Sequence, residues 1–335
     1  MKGTRYKRRE FLKTTVQASS AICFGITGLA PTLCSAAMPS KQSTIVVAEN
    51  HLVRDSKDKL IGNQVGRLLE RAMENLLQVP KSELAWQKLF GARDVVGIKV
   101  NCLAGKGIST HFEIVEAIIE GLRSAGVMEK NIIIWDRSSH DLEKAGYRIQ
   151  TDHNRVQCYG TERVGYTYRV YEFGEVGSCL SKILVEKCTA IINVPILKDH
   201  GIVGMTNALK NFFGAIHNPN KYHDQRGDPY IADVNMLSEI RSKVKLIISD
   251  ALTAQCEGGP PFMPQWAWSQ NSLLVGFDPV AIDALGWQII EAKRQEKGLP
   301  TLKAAGREPS YIATAADEQH RLGCNDLSKT NIIRV

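Results

Sequence analysis

"DVVGIKVNCLAGKGISTHFEIVEAIIEGLRSAGVMEKNIIIWD", residues 94–136, decides the fold. Its first eight residues form a near-continuous apolar run of strand length, the kind found in sheets covered on both faces. Ile114, Val115, Ile118, Ile119 and Leu122 then recur at helical spacing, with Gly126 as a stop. "NIIIWD" returns to a buried strand. Strand, helix and a second apolar strand make a parallel crossover unit.

The same alternation continues outward on both sides. "STIVVAEN" (43–50) reads as a strand, and 61–79 as a helix from Leu68, Leu69, Ala72 and Leu76. "DLEKAG" (141–146) is a short helix, while "TAIINV" (189–194) and "VKLIISD" (244–250) are further buried strands. "DPVAIDALGWQIIEAKRQEKG" (278–298) opens a long helix with Asp278 as its cap and Pro279 in its first turn. One turn in, Asp283 reads as a solvated face residue. The fold expected over residues 44–335 is α/β: a mostly parallel, Rossmann-like sheet with helices on both faces, with room for a smaller C-terminal α/β lobe.

Of 42 basic and 35 acidic side chains, six and one lie in residues 1–37. The remainder carries 36 against 34, so the body offers no electrostatic case for nucleic acid. The basic excess belongs to "KRREFLKTTVQASSAICFGITGLAPTLCSAAMPS" (7–40), where Arg8-Arg9-x-Phe11-Leu12-Lys13 precedes a mildly apolar stretch and a small-residue site. It resembles a twin-arginine export signal, with cleavage near Ala37. Residues 14–30 are interrupted by Thr, Gln, Ser and Gly, too polar for a span of about 20 apolar residues. The expectation is therefore a periplasmic protein, handed to the twin-arginine translocase already folded, and not an integral membrane protein. Cys102, Cys158, Cys179, Cys188, Cys256 and Cys324 would remain after cleavage. None forms a C-x-x-C pair, so the chain's own cysteines do not signal an iron-sulfur cluster. Pairing and buried free thiols both stay open.

In parallel sheets ligands sit outside the carboxyl ends of the strands. Those ends supply Asn101, Asp136, Asn193 and Asp250. "GKGIST" (105–110) at a strand-to-helix turn is either an anion site or a plain turn capped by Ser109 or Thr110. The richest stretch is "NVPILKDHGIVGMTNALKNFFGAIHNPNKYH" (193–223). Met205, Ala208, Leu209, Phe212 and Ile216 have the spacing of a buried helix face, opposite a stripe of Asn207, Lys210, Asn211 and Gly214. Glycine-rich flanks and His200, His217 and His223 favour a site over a solvated stripe. Asp199 would raise and Lys198 would lower the pKa of His200, holding it near neutral for acid–base work. "DALTAQCEGGP" adds a backbone wall at Gly258 and Gly259.

"VVGIKVN", "NIIIWDRS", the 193–223 stretch, "SDAL", "GGP" and "DPVAIDA" resemble the domain of unknown function 362 family over roughly residues 94–325. The chain is also similar to the nickel-pincer lactate racemases, on His200, Gly204, Lys210 and His223 in the same order, with His140 after "WDRSS". That resemblance implies a lysine-tethered nickel-pincer cofactor on Lys210, nickel ligation by His223 with His217 nearby, and proton shuttling by His200 and His140. This chain has Asn207-Ala208 where the racemases place a glycine pair. Lys198, Asn207, Asn211, Asp250, Gly258 and Gly259 are the candidate cofactor-binding residues. Three readings follow. One is an exported metal- or cofactor-dependent enzyme of proton or hydride chemistry, racemase- or oxidoreductase-like, acting on a small-molecule ligand. The second is an iron-sulfur-associated electron-transfer protein, and the third a non-catalytic periplasmic ligand-binding protein.

Overall fold

Consecutive residues of one strand belong to two different cores. Ile132 and Ile134 join the apolar cluster of Val65, Leu68, Ile114 and Ile118, while Ile133 and Trp135 join that of Phe212, Ile231 and Ile240. A strand with period-two side chains can do this only if both faces of its sheet are covered. The computed structural model describes residues 42–335, which form one compact unit. The export signal expected at residues 1–37 lies outside the described residues.

The strands are β1 (Thr44–Glu49), β2 (Val96–Lys99), β3 (Ile132–Asp136), β4 (Gln157–Gly160), β5 (Tyr166–Phe173), β6 (Val176–Ser181), β7 (Ala190–Asn193), β8 (Ile196–His200), β9 (Gly204–Thr206), β10 (Val244–Gln255), β11 (Ala267–Gly276) and β12 (Asn331–Arg334). The helices are α1 (Gly62–Leu77), α2 (Ser82–Leu89), α3 (Phe112–Ser124), α4 (Ser139–Ala145), α5 (Tyr230–Met236), α6 (Ser238–Lys243), α7 (Pro279–Glu296) and α8 (Tyr311–Ala315). The main sheet runs β12-β1-β11-β10-β7-β2-β3-β4. From β10 to β4 every pairing is parallel, and β11 enters antiparallel between β10 and β1. The mostly parallel α/β fold is thus as read from the apolar runs. The C-terminal elements join the same unit, since β12 pairs with β1 and α7 buries Ile282 and Leu285 against β1, β10 and β11.

The stretch from Met205 to Ile216 is not the helix its spacing predicts. Residues 204–206 form β9, which pairs antiparallel with β8, and Lys210–Ala215 is a 3-10 turn. Asn207 and Asn211 spend their carboxamides on distant groups rather than leaving them to solvent, and a single helix-type bond, from the Asn211 N–H to the Asn207 carbonyl at 3.1 Å, joins them. Met205, Ala208, Leu209, Phe212 and Ile216 are all buried as expected, but so are Asn207, Lys210 and Asn211. Asp283 is also corrected. It is fully buried, and its carboxylate accepts from the N–H groups of Ala208 and Leu209 at 2.7 and 3.2 Å. Its helix uses Asp278 as cap, as read, with N–H donors from Val280 and Ala281.

Candidate functional site

The hairpin of β8 and β9 sorts the sequence Lys198-Asp199-His200 by side. Alternate residues of a strand point to opposite faces. Lys198 and His200, with Thr206 across the ladder from Lys198, line a cavity of about 360 Å³. Asp199 faces away and accepts from Arg307 Nη1 at 2.8 Å, Gly259 N at 2.9 Å and Gln255 Nε2 at 3.4 Å. The Lys–Asp balance expected around His200 is therefore absent. Burial, then Lys210 and His223, push its pKa down to about 2, so the ring is neutral across the physiological range. Its Nδ1 accepts from the N–H groups of Ile202 and Val203 at 3.2 and 3.4 Å, which leaves the proton on Nε2.

Opposite His200 lies His223, their rings stacked with centroids 5.4 Å apart. His223 Nδ1 donates to the carbonyl of Pro219 at 3.2 Å, so Nε2 carries the lone pair. Lys210 Nζ sits 3.2 Å from that Nε2 and 4.6 Å from the centre of the Phe213 ring. The segment that carries His223 contains three non-glycine residues in left-handed backbone, Asn218, Gln225 and Arg226, a strain that must be held by its surroundings.

Two lysines set the electrostatics. Lys198 is 1% exposed and Lys210 8% exposed, and neither has a carboxylate in ion-pair reach among the described residues. Lys198 Nζ donates to the carbonyls of Ile108 and Pro260, both at 3.3 Å. Burial lowers its pKa to about 8. Burial, and then the charge of Lys198, lowers that of Lys210 to about 7. The floor of the cavity is different. Lys99, fully buried at the end of β2, donates to Asp136 at 2.8 Å, the Val100 carbonyl at 2.7 Å and Asn211 Oδ1 at 3.3 Å, so its ammonium is saturated. Asp136 also accepts from the N–H groups of Cys102 and Arg137.

The other expected site residues fall into three groups. Asn211 lines the cavity but spends both ends of its amide on Lys99, Asn101 and Asn193. Asn207, Asp250, Gly258 and Gly259 do not line it. Asn207 bonds Ser249 and Ile282. Asp250 holds both the backbone N–H and the ring of His111, each at 2.7 Å, at the entry to α3. After "GKGIST" the carboxylate at the head of α3 is the chain's own, and His111 rather than Ser109 or Thr110 precedes the helix. Gly259 is needed by Asp199, whose backbone oxygen would lie 2.2 Å from an added Cβ, and Gly214 by Lys99 and Asp136, both 2.8 Å from one. These glycines admit the protein's own polar groups rather than a ligand. The wall expected from Gly-Gly-Pro survives only as Pro260.

His140 and His217 are corrections. His140 is exposed on α4, and its neighbours Arg137 and Asp141 line the cavity instead. His217 is exposed and stands edge-on to Tyr166, 5.1 Å between centroids, with its N–H on the Cys179 carbonyl. A resident metal ion does not fit the donors gathered here. His223 Nε2 alone offers a ring lone pair, His200 Nε2 holds a proton, and among the described residues no three His, Cys, Asp or Glu side chains converge. The tethered-cofactor reading loses one proton shuttle to the surface and finds the other, His200, depressed far below neutral. All six described cysteines are free thiols.

Sequence reading missed Lys99, Arg137, Thr206 and Arg307. Lys99 carried a signal, a lone cation inside an otherwise apolar strand. Arg307, about a hundred residues from Asp199, carried none.

A family model described as Domain of unknown function (DUF362) matches residues 96–288, more than half of the chain. The chain belongs to this family. No curated protein matches it. The DUF362 match spans β2 to most of α7, and so contains the cavity's lysines and both of its histidines. Among the described residues no helix is long and apolar enough to cross a membrane.

Proposed function

We propose that this DUF362 chain is an exported enzyme that binds a small anionic molecule and moves a proton on it at the Lys210–His223 pair. One observation carries the reading. Two buried lysines open on one cavity with no carboxylate within ion-pair reach of either, since Asp136, which also lines it, is taken by Lys99, an arrangement whose electrostatic cost an anionic ligand offsets. Lys198 is the anchor, since its two carbonyl partners fix the ammonium and leave one donor. Lys210 and His223 are the proton-transfer pair. A lysine near pKa 7 exchanges its proton readily at neutral pH, and the Pro219 carbonyl holds His223, whose own pKa burial and then Lys210 lower to about 4, in the tautomer that relays that proton onward rather than keeping it. His200, neutral with Nε2–H on the free edge, donates a hydrogen bond to developing negative charge without giving up its proton. The buried Asn101 Oδ1 has no partner, and a ligand hydroxyl or N–H would satisfy it if the amide turns into the cavity.

Export rests on the Arg8-Arg9 signature, which places the working site in the periplasm after passage through the twin-arginine translocase. The second reading, a ligand-binding protein without turnover, draws on the low pKa of His200, which removes one acid from the site.

Incubating the purified chain in D₂O with a panel of small hydroxy-, oxo- and amino-acid anions separates the two by NMR. Deuterium entering a carbon next to the carboxylate, or in an oxo acid next to the carbonyl, of one of them, and lost in Lys210→Met and His223→Ala, supports the enzyme. Saturable binding of the same anions without exchange makes the chain a binding protein.

A further inference from the structure

We infer that Lys210 acts as an amine nucleophile that forms an imine with a carbonyl compound bearing an anionic group, held by Lys198 in the same cavity. The inference rests on the proton-transfer reading and names the substrate class for it.

The geometry comes first. Lys210 Nζ lies on the cavity wall with no carboxylate partner, and its polar contact there is with a nitrogen, His223 Nε2 at 3.2 Å. A lysine kept for structure is built otherwise in this same protein. Lys99, which lines the same cavity, has its three donors on Asp136, Val100 and Asn211. Lys210 lacks such satisfaction, and its burial with a second cation nearby keeps about half of it as free amine at neutral pH. His223 is fixed by Pro219 with its lone pair toward the amine, so it can take the proton released on attack. The neutral Nε2–H of His200, on the ring stacked against His223, is placed to stabilise the carbonyl oxygen as it gains charge.

The step balances without a co-reactant. The Nζ lone pair forms the N–C bond, and the C=O π pair moves to oxygen as the C=O double bond becomes single. The ammonium proton passes through His223 to that oxygen, which leaves as water with a second proton from nitrogen as the C=N bond forms. The imine then draws electrons from the adjacent C–H bond, making it acidic enough for the proton transfer proposed above.

Glyoxylate, the smallest carbonyl compound with a carboxylate, tests the class without testing size. The purified chain is treated with glyoxylate and sodium cyanoborohydride at pH 7, and reduced adducts are located by peptide mass spectrometry over time. Oxalate binding is measured in parallel by calorimetry. Lys210 should be modified at least about tenfold faster than the exposed Lys57, because about half of Lys210 is free amine at that pH. Oxalate should suppress that excess, and Lys198→Met should reduce it. Modification of Lys210 no faster than Lys57 while oxalate still binds would overturn the imine and leave the anion-binding reading standing. Equal rates with no oxalate binding would overturn both.

Discussion

Replacing Lys210 with Met should make the protein more stable at neutral pH, by an amount that shrinks as the pH rises. Met fills nearly the same volume against Phe213 and removes a buried amine that has no carboxylate. The magnitude follows from linkage. Lys210 titrates near 10.5 when unfolded and near 7 when folded, so between those values the unfolded chain holds the proton and the folded one does not. Raising the pH through that window therefore favours the folded wild type, by about 1.4 kcal/mol per unit at most. From pH 7 to pH 9 the wild type should gain roughly 2 kcal/mol from this group, and Lys210→Met none. Lys198 is present in both proteins, so its contribution largely cancels. Urea unfolding of the two at pH 7, 8 and 9 gives the difference directly. A stability gap that stays constant across the series would mean that Lys210 is an ordinary ammonium, and the electrostatic basis of the site would fall.

Three other outcomes are expected. Arg8→Lys with Arg9→Lys should hold folded precursor in the cytoplasm with its Tm unchanged, as cell fractionation and thermal melting of the precursor will show. Asp283→Ala should cost about 2 kcal/mol or more in chemical denaturation, because it orphans the buried N–H groups of Ala208 and Leu209. Arg307→Ala should cost about 3–5 kcal/mol, since it leaves Asp199 buried and short of its cation, with Glu257 losing one of two arginine partners. Denaturation of Arg307→Ala within 0.5 kcal/mol of wild type, to take about the scatter of a neutral surface change, would rule out that role.

The crossover units were legible because their short strands are continuous apolar runs and their helices carry a periodic apolar face. The sheet's antiparallel part was less so. Strand β9 was hidden at the start of an apolar spacing that fits a helix equally well, and its pairing with β8, Lys198 to Thr206 through His200 to Gly204, resolves it. The error about His200 was a separate one: Lys198 and Asp199 were both counted as its neighbours at a strand end, whereas on a strand Asp199 must point the other way. Lys198 and His200 were found because polar residues at a strand end are unusual in a buried run, and Lys210 because its polar stripe is bracketed by glycines and histidines. His140 and His217 were included by order along the chain, and chain order does not report which side of α4 or of the β6 edge a ring occupies. Arg307 depends on a partner at a separation no local pattern encodes, whereas Lys99, a lone cation in an apolar strand, was visible in the sequence and passed over.

The central claim is that Lys210 is a near-neutral amine in a cavity built for an anion. A pH titration of the lysine side chains by NMR, on isotopically labelled protein with Lys210→Met to assign the signal, measures it most directly. The account predicts a Lys210 midpoint near 7 that moves upward by about a unit or more when oxalate is added, because a bound carboxylate favours the ammonium. A midpoint in the ordinary lysine range near 10.4, unmoved by oxalate, would contradict it.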